Sequence, residues 1–350
     1  VNEASLLQLI LPKLPPGVGT LVGPGDDAAL LALDERQVLV CTDVLVEGVH
    51  FNNEWSSGAD VGWRAAMANL ADIAAMGGRA TALVVAVTVP GTTKAAWFGQ
   101  LAEGLALACA PLGVGVVGGD LAAGPGLIVA VTALGQMAGA APVKRSGARP
   151  GDVVALAGRT GYAAAGLACL ESDPAIDSTT EPDGQVAAAD QRGDPAKGAA
   201  FLPFDPASGA LDSLAAEAVQ VYLRPNPPIE AGPVAAQAGA TAMIDISDGL
   251  LLDAGRVAHA SGLDLVLDPA RPALASPTQQ LAPLAKRLGT NSLEWVLTGG
   301  EDHALLATFP AQLDLPEGWV GIGQCKEGTD QVKVLGDFQP ARQGWDHFGS

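Results

Sequence analysis

Short apolar runs of strand length recur along this chain, each broken by glycine, serine, threonine or an acid. Residues 38–43 (VLVCTD), 81–89, 113–120, 127–136 and 153–157 read as strands. Between and after them, residues 60–77, 94–109, 161–170 and 214–222 carry apolar positions at helical spacing. The 60–77 helix is expected to open at an N-cap near Asp60 and to stop at Gly77. Residues 1–20 predict a short amphipathic helix and a Pro/Gly loop, and 295–297 predict a strand that ends on Thr298-Gly299-Gly300-Glu301-Asp302. The stretch 242–253, AMIDISDGLLLD, predicts a strand feeding directly into a helix through a small polar cap. That puts Asp245 at the strand's carboxyl end and Asp248 in the helix's first turn, where open α/β sheets receive ligands.

Mixed strands and helices make an α/β chain, and the polar 144–152 segment (KRSGARPGD) divides it into residues 1–147 and 148–350. Residues 171–212 break the pattern with nine acids, two basic residues and no sustained period. Such a segment buries too little apolar surface to offset its ordering entropy, so it is expected to be a mostly disordered insertion.

At 350 residues the chain suits two medium domains. A formal charge of -19 argues against nucleic acid or an anionic membrane as partner. Its apolar runs fall short of the ~18 to 20 residues that span a bilayer. Cys41, Cys109, Cys169 and Cys325 lie far apart and form no CxxC pair, which fits reduced thiols in a soluble, cytoplasmic protein. The first ten residues carry no basic stretch of the kind that opens a signal peptide.

One chemical device repeats: a short strand runs into small residues and then an acid. It occurs as CTD at 41–43, GGD at 118–120, ISD at 246–248 and GGED at 299–302. Asp27 adds a further acid at a turn. Asp72 shares a helix face with Asn69, Ala65, Ala68 and Met76, and so is expected to point inward. Helix and turn capping explains a single aspartate well. It explains the set poorly, because an inward carboxylate on an apolar face needs a partner. Hard oxygen donors without histidine or cysteine suit magnesium, and ions bridging a polyphosphate would supply that partner.

Several other chemistries are excluded. Gly113-x-Gly115-x-x-Gly118 has dinucleotide spacing but lies in a strand and opens no helix. There is no P-loop and no GxSxG elbow. The four histidines are not spaced as a metal cluster; His259 reads as a helix-surface residue, while His50, just after the CTD strand, can reach the acidic site.

Taken in order, GDDAALL (25–31), TDVLVEGVHF (42–51), NLADIAAMG (69–77), GGD, KRSGARPGD, RPNPP (224–228), IDISDGL (244–250), GGED and WDHF (345–348) resemble the thiamine-monophosphate kinase family. This family belongs to the aminoimidazole ribonucleotide synthetase-like superfamily. The resemblance covers nearly the whole chain outside 171–212. It implies a two-domain fold whose N-terminal sheet forms a barrel across a homodimer, with a C-terminal α/β domain of α+β type. It also implies transfer of the γ-phosphoryl of ATP to thiamine monophosphate. By motif, Asp27, Thr42, Asp43, Asp72, Asp120, Asp245 and Asp248 would hold several magnesium ions, with Asp43, Asp72 and Asp120 nearest the reaction. Gly119, Asp120, Arg145 and Ser247 would contact ATP, and His50, Glu301 and Trp345 thiamine monophosphate. Cys41 departs from the family's usual serine or threonine, and His303 stands in GGEDHAL where GGEDYEL is commoner.

Joining two polyanions demands charge neutralisation and in-line positioning more than a general base. A carboxylate at Glu301 suits a cationic thiazolium, and Trp345 suits stacking on a thiamine ring. The competing readings are a sister-branch ATP-dependent synthetase and a non-catalytic nucleotide-binding scaffold. ADP release that depends on thiamine monophosphate separates all three.

Overall fold

The computed structural model describes residues 9–15, 17–18, 20–22, 30–31, 38–172, 209–341 and 344–345. Asp27 and residues 173–208, most of the expected insertion, lie outside them. Thr20–Val22 (β1) pairs antiparallel with Leu30–Leu31 (β2). Of the amphipathic helix expected in residues 1–20, the described part is residues 9–10 and a 3₁₀ turn at Leu11–Lys13.

Leu39–Val46 (β3), Gly78–Val89 (β4), Gly115–Ala123 (β5) and Ile128–Met137 (β6) form a four-stranded sheet in the order β3-β6-β4-β5. The period-two alternation gives this sheet two different faces. Its inner face, with Leu83, Val129 and Val131, is buried against Gly58–Ala75 (α1) and Ala95–Cys109 (α2). Its outer face leaves Val40, Val44 and Val84 exposed at 59%, 45% and 38%. The α1 helix starts earlier than its sequence suggests. Ser57 is the N-cap and Asp60 sits at N3, each side chain accepting from the other's backbone N–H in a capping box.

The second sheet contains Val153–Ala157 (β7), Ala242–Ile246 (β8), Asp264–Leu267 (β9), Ala304–Phe309 (β10), Trp319–Lys326 (β11) and Val332–Val334 (β12), ordered β12-β9-β11-β7-β10-β8. Every pairing is antiparallel except β12 with β9, so this is an α+β sheet and not a parallel one. Tyr162–Glu171 (α3), Gly209–Leu223 (α4), Ala231–Gln237 (α5), Leu250–Ser261 (α6) and Pro272–Arg287 (α7) accompany it. Residues 171 and 209–212, assigned to the insertion from sequence, are the end of α3 and the start of α4.

Three expectations fail locally. Asp43 and Asp120, expected where strands end, lie inside β3 and β5. Residues 295–297 belong to a helix, Ser292–Thr298 (α8), and not to a strand. A short apolar run has no diagnostic period; here Asn291 caps it by accepting from the Leu293 N–H, with Glu294 in the first turn. The cap of α6 is Gly249, at φ 121°, and no side chain closes it. Asp248 therefore precedes the helix, and Asp253 is the acid of its first turn.

The α1 helix is buried on nearly every side because it lies between the two sheets. Leu70 and Ile73 pack into the first core. Ala74 and Ala75 pack with Ala155, Met243 and Leu305 of the second sheet. The Trp63 indole N–H donates to the Pro225 carbonyl at 2.6 Å, and Arg224 pairs with Asp60. The residues of one helix thereby face chemistry carried by both sheets.

Candidate active site

Antiparallel pairing of β8 with β10 decides what meets at the centre. The end of β8 lies beside the start of β10, with Ile246 opposite Ala304 and Asp245 opposite Leu305. Beyond these pairs the two chains stay joined. The His303 N–H donates to the Ile246 carbonyl at 3.1 Å and the Glu301 N–H to the Ser247 carbonyl at 2.8 Å. Gly300 is required there: a Cβ would stand 2.2 Å from the Ser247 oxygen. The turn holds Glu301 and His303 at φ 71° and 52°, uncommon for residues with side chains. Asp302 between them is buried and accepts from the N–H groups of Gly161 and Ala163 at 2.6 and 3.0 Å, where α3 begins.

Asp43 on β3, Asp72 on α1 and Asp245 on β8 form an acidic cluster where the sheets meet at α1. Burial and then the charges of Asp245 and Asp43 push the Asp72 carboxyl up to about 7. Burial raises Asp43 as well, opposed by His303 and reinforced by Asp245 and Glu301. His303 Nδ1 lies 3.3 Å from Asp245 Oδ2 and its Nε2 lies 3.9 Å from Glu301 Oε2. Burial alone would lower this imidazole, but the hydrogen bond to Asp245 and the charge of Glu301 lift it to about 9. Cys41, next to Asp72 and Asp43, is pushed up by burial and those two charges, so it stands as a neutral thiol.

Beside the cluster lies a cavity of about 410 Å³ whose walls include His50, Trp55, Tyr222, Ser247, Glu301 and Trp345. This is a size that suits a small organic ligand. The three residues expected at the thiamine end, His50, Glu301 and Trp345, thus line one space together with Ser247. Trp345 reaches it because its N–H donates to the Asp248 carbonyl at 2.8 Å, which ties the end of the chain to the β8–α6 turn.

Other expected residues are not brought together within one chain. Leu121 packs on the inner core, so Asp120, its neighbour along β5, belongs to the outer face and is exposed. Three strand spacings, roughly 14 Å, also separate β5 from β3. A Cβ at Gly119 would come within 2.1 Å of the Val85 carbonyl, so close strand approach alone demands glycine there. The Thr42 hydroxyl is on the outer face too, donating to the Val131 carbonyl at 2.9 Å. Arg145 is exposed, and its carbonyl accepts from Ser261 at the last residue of α6. Ser247 precedes that helix, whose length is roughly 18 Å. Asp248 is paired with Arg256 at 2.6 Å rather than with the cluster.

Among the described residues, no three His, Cys, Asp or Glu side chains converge tightly enough to hold one ion. The donor chemistry nevertheless fits a hard divalent cation: Asp43, Asp72 and Asp245 are oxygen donors from three elements whose mutual repulsion a cation would relieve.

Sequence reasoning overlooked Arg64 and Tyr222. Arg64, 1% exposed on α1, pairs with Glu301 at 3.0 Å, donates to the His50 carbonyl at 2.8 Å and stacks 4.3 Å from the Tyr222 ring centre. A lone arginine inside an apolar helix was the available signal. Arg256, which holds Asp248, was also missed, and no motif marked it.

The fold defines a protein of the aminoimidazole ribonucleotide synthetase-like class. The family model described as AIR synthase related protein, N-terminal domain, matches residues 25–137. A hydrogenase maturation protein HypE in complex with ATP shares the fold at 16% identity and a TM-score of 0.63, covering 97% of this chain and 92% of its own. Within that class the likeness narrows. The thiamine-monophosphate kinase of Mycobacterium tuberculosis (strain ATCC 25618 / H37Rv) is 40% identical over 329 residues, 94% of this chain and 86% of the relative. That of Corynebacterium glutamicum is 35% identical, over 93% of this chain and 88% of its own. A structure of AaThiL complexed with AMPPCP and TMP has a TM-score of 0.72 at 28% identity, covering 99% of this chain and 97% of that one. The chain belongs to the thiamine-monophosphate kinase family.

Proposed function

We propose that this site carries out ATP-dependent phosphorylation of thiamine monophosphate, giving thiamine diphosphate and ADP. The observation that carries the reading is the shared cavity of His50, Ser247, Glu301 and Trp345 against the Asp43–Asp72–Asp245 cluster. Glu301 suits the cationic thiazolium: burial would raise its carboxyl, but Arg64, His303 and His50 outweigh burial and hold it below its usual range. Trp345, 49% exposed at the cavity's mouth, offers a ring for stacking. The acceptor phosphate is already an anion, so the chain's task is to align it and keep water out.

Magnesium ions fit the acidic cluster, with Asp43, Asp72 and Asp245 as ligands and Asp27, Thr42, Asp120 and Asp248 completing the set. When bound, they would neutralise the polyphosphate charge. In this reading residues 1–147 supply the nucleotide and dimerisation half and 148–350 the other half. A second copy of the chain supplies Gly119, Asp120 and Arg145, since Asp120 lies on the outer sheet face of its own subunit. The exposed Val40, Val44 and Val84 of the outer sheet face support such a homodimer. Among the described residues no helix is long and apolar enough to cross a membrane. Four free cysteines support a cytoplasmic location.

The test is ADP release by the purified protein with ATP and magnesium, with and without thiamine monophosphate. Release only with the acceptor present is expected. Acceptor-independent release, or none, refutes the assignment.

A further inference from the structure

Burying a guanidinium requires compensation for lost hydration, and Arg64 receives it from three separate parts of the chain. The His50 carbonyl belongs to the turn after β3, Glu301 to the turn before β10, and Tyr222 to α4. All three parts also line the cavity assigned to the acceptor substrate. Arg64 and His303 both approach Glu301 at Oε2. Glu301 nevertheless keeps 34% of its side chain exposed, although Arg64 behind it is only 2% exposed by side chain. Glu301 also sits at φ 71°, a conformation that persists only where its surroundings hold it.

We propose that Arg64, backed by the Tyr222 ring, is a positioning residue that aims the Glu301 carboxylate and fixes the His50 turn, and so sets affinity for the cationic ring of the acceptor. This rests on the kinase reading above. Arg64 touches no substrate and acts through Glu301 and His50. A lysine keeps the charge, but it cannot pair with Glu301, reach the His50 carbonyl and stack on Tyr222 at once. The contribution is therefore one of geometry.

The experiment is steady-state kinetics of wild type, Arg64→Lys, Glu301→Gln and the double variant, with thermal melting of each. In Arg64→Lys, KM for thiamine monophosphate should rise about tenfold or more, while KM for ATP and kcat stay within about threefold. In the Glu301→Gln background the same change should add little, because the two act as one unit. An unchanged acceptor KM, an equal rise in the ATP KM, or additive effects in the double variant overturns the proposal. Should Arg64→Lys fail to fold, Tyr222→Leu removes the ring that backs Arg64 as well as a wall of the cavity and should raise the same KM but add little in the Glu301→Gln background; no rise, or an additive one, overturns the proposal. A wild type without acceptor-dependent ADP release defeats the kinase reading itself, an outcome separate from a wild type that turns over normally while Arg64→Lys leaves the acceptor KM unmoved.

Discussion

His303 Nδ1 lies 3.3 Å from Asp245 Oδ2 across the β8–β10 pair, where both side chains are nearly excluded from solvent. The imidazole gives the acidic cluster a fixed cation supplied by the protein itself. The chain thereby balances part of the cluster's charge internally.

Removing that cation should expose the imbalance. In His303→Leu, Asp245 is left buried without its partner, a change that costs about 3 to 5 kcal/mol when a buried pair is broken. Thermal melting in the absence of divalent ions should show the loss, and magnesium with ATP should narrow the gap to wild type. Identical melting curves without metal would show that His303 does not balance Asp245.

Asp43→Asn and Asp120→Asn should each lower turnover by at least about a hundredfold, the scale of losing one electrostatic contact in a transition state. Circular dichroism and melting should stay near wild type, because Asp120 is exposed and Asp43 is destabilised by its acidic neighbours. Turnover close to wild type in either variant at saturating magnesium would remove that residue from the site.

The same two variants test whether one chain suffices. If Asp43 and Asp120 serve one site from different subunits, mixed dimers of Asp43→Asn with Asp120→Asn contain one intact site and one doubly altered site. Subunit exchange between the inactive proteins should then restore activity. No recovery after exchange, with mixed dimers verified by mass spectrometry, would mean that both residues serve the site of their own chain.

Burial raises Asp302 from 3.8 to about 7, against the N–H groups of Ala163 and Gly161. A raised carboxyl means that the folded chain holds a proton the unfolded chain has already released. Its stabilising contribution is therefore complete below pH 3.8 and is lost as pH rises through about 7. Denaturant titrations of wild type and Asp302→Asn should show the wild type losing stability relative to the variant across that window. Parallel pH profiles would contradict it.

Much of this protein is legible in its sequence, because local chemistry repeats the same message. Alternating strands, the Gly77 stop and the inward face of Asp72 follow from spacing, and the ordered motifs from 25 to 348 carry the family. The run at 295–297 was not legible, since three apolar residues have no period and Asn291 decided the matter from outside the run. Nor was Arg64, whose partners are 158 and 237 positions away at Tyr222 and Glu301 and enter its surroundings only through folding. Spacing singled out Asp43 and Asp120 but put both at strand ends, whereas they lie inside β3 and β5, and it could not say which face of the sheet each would occupy. Strand order and pleat settled that, placing Asp43 beside Asp72 and Asp245 and Asp120 on the opposite, exposed face.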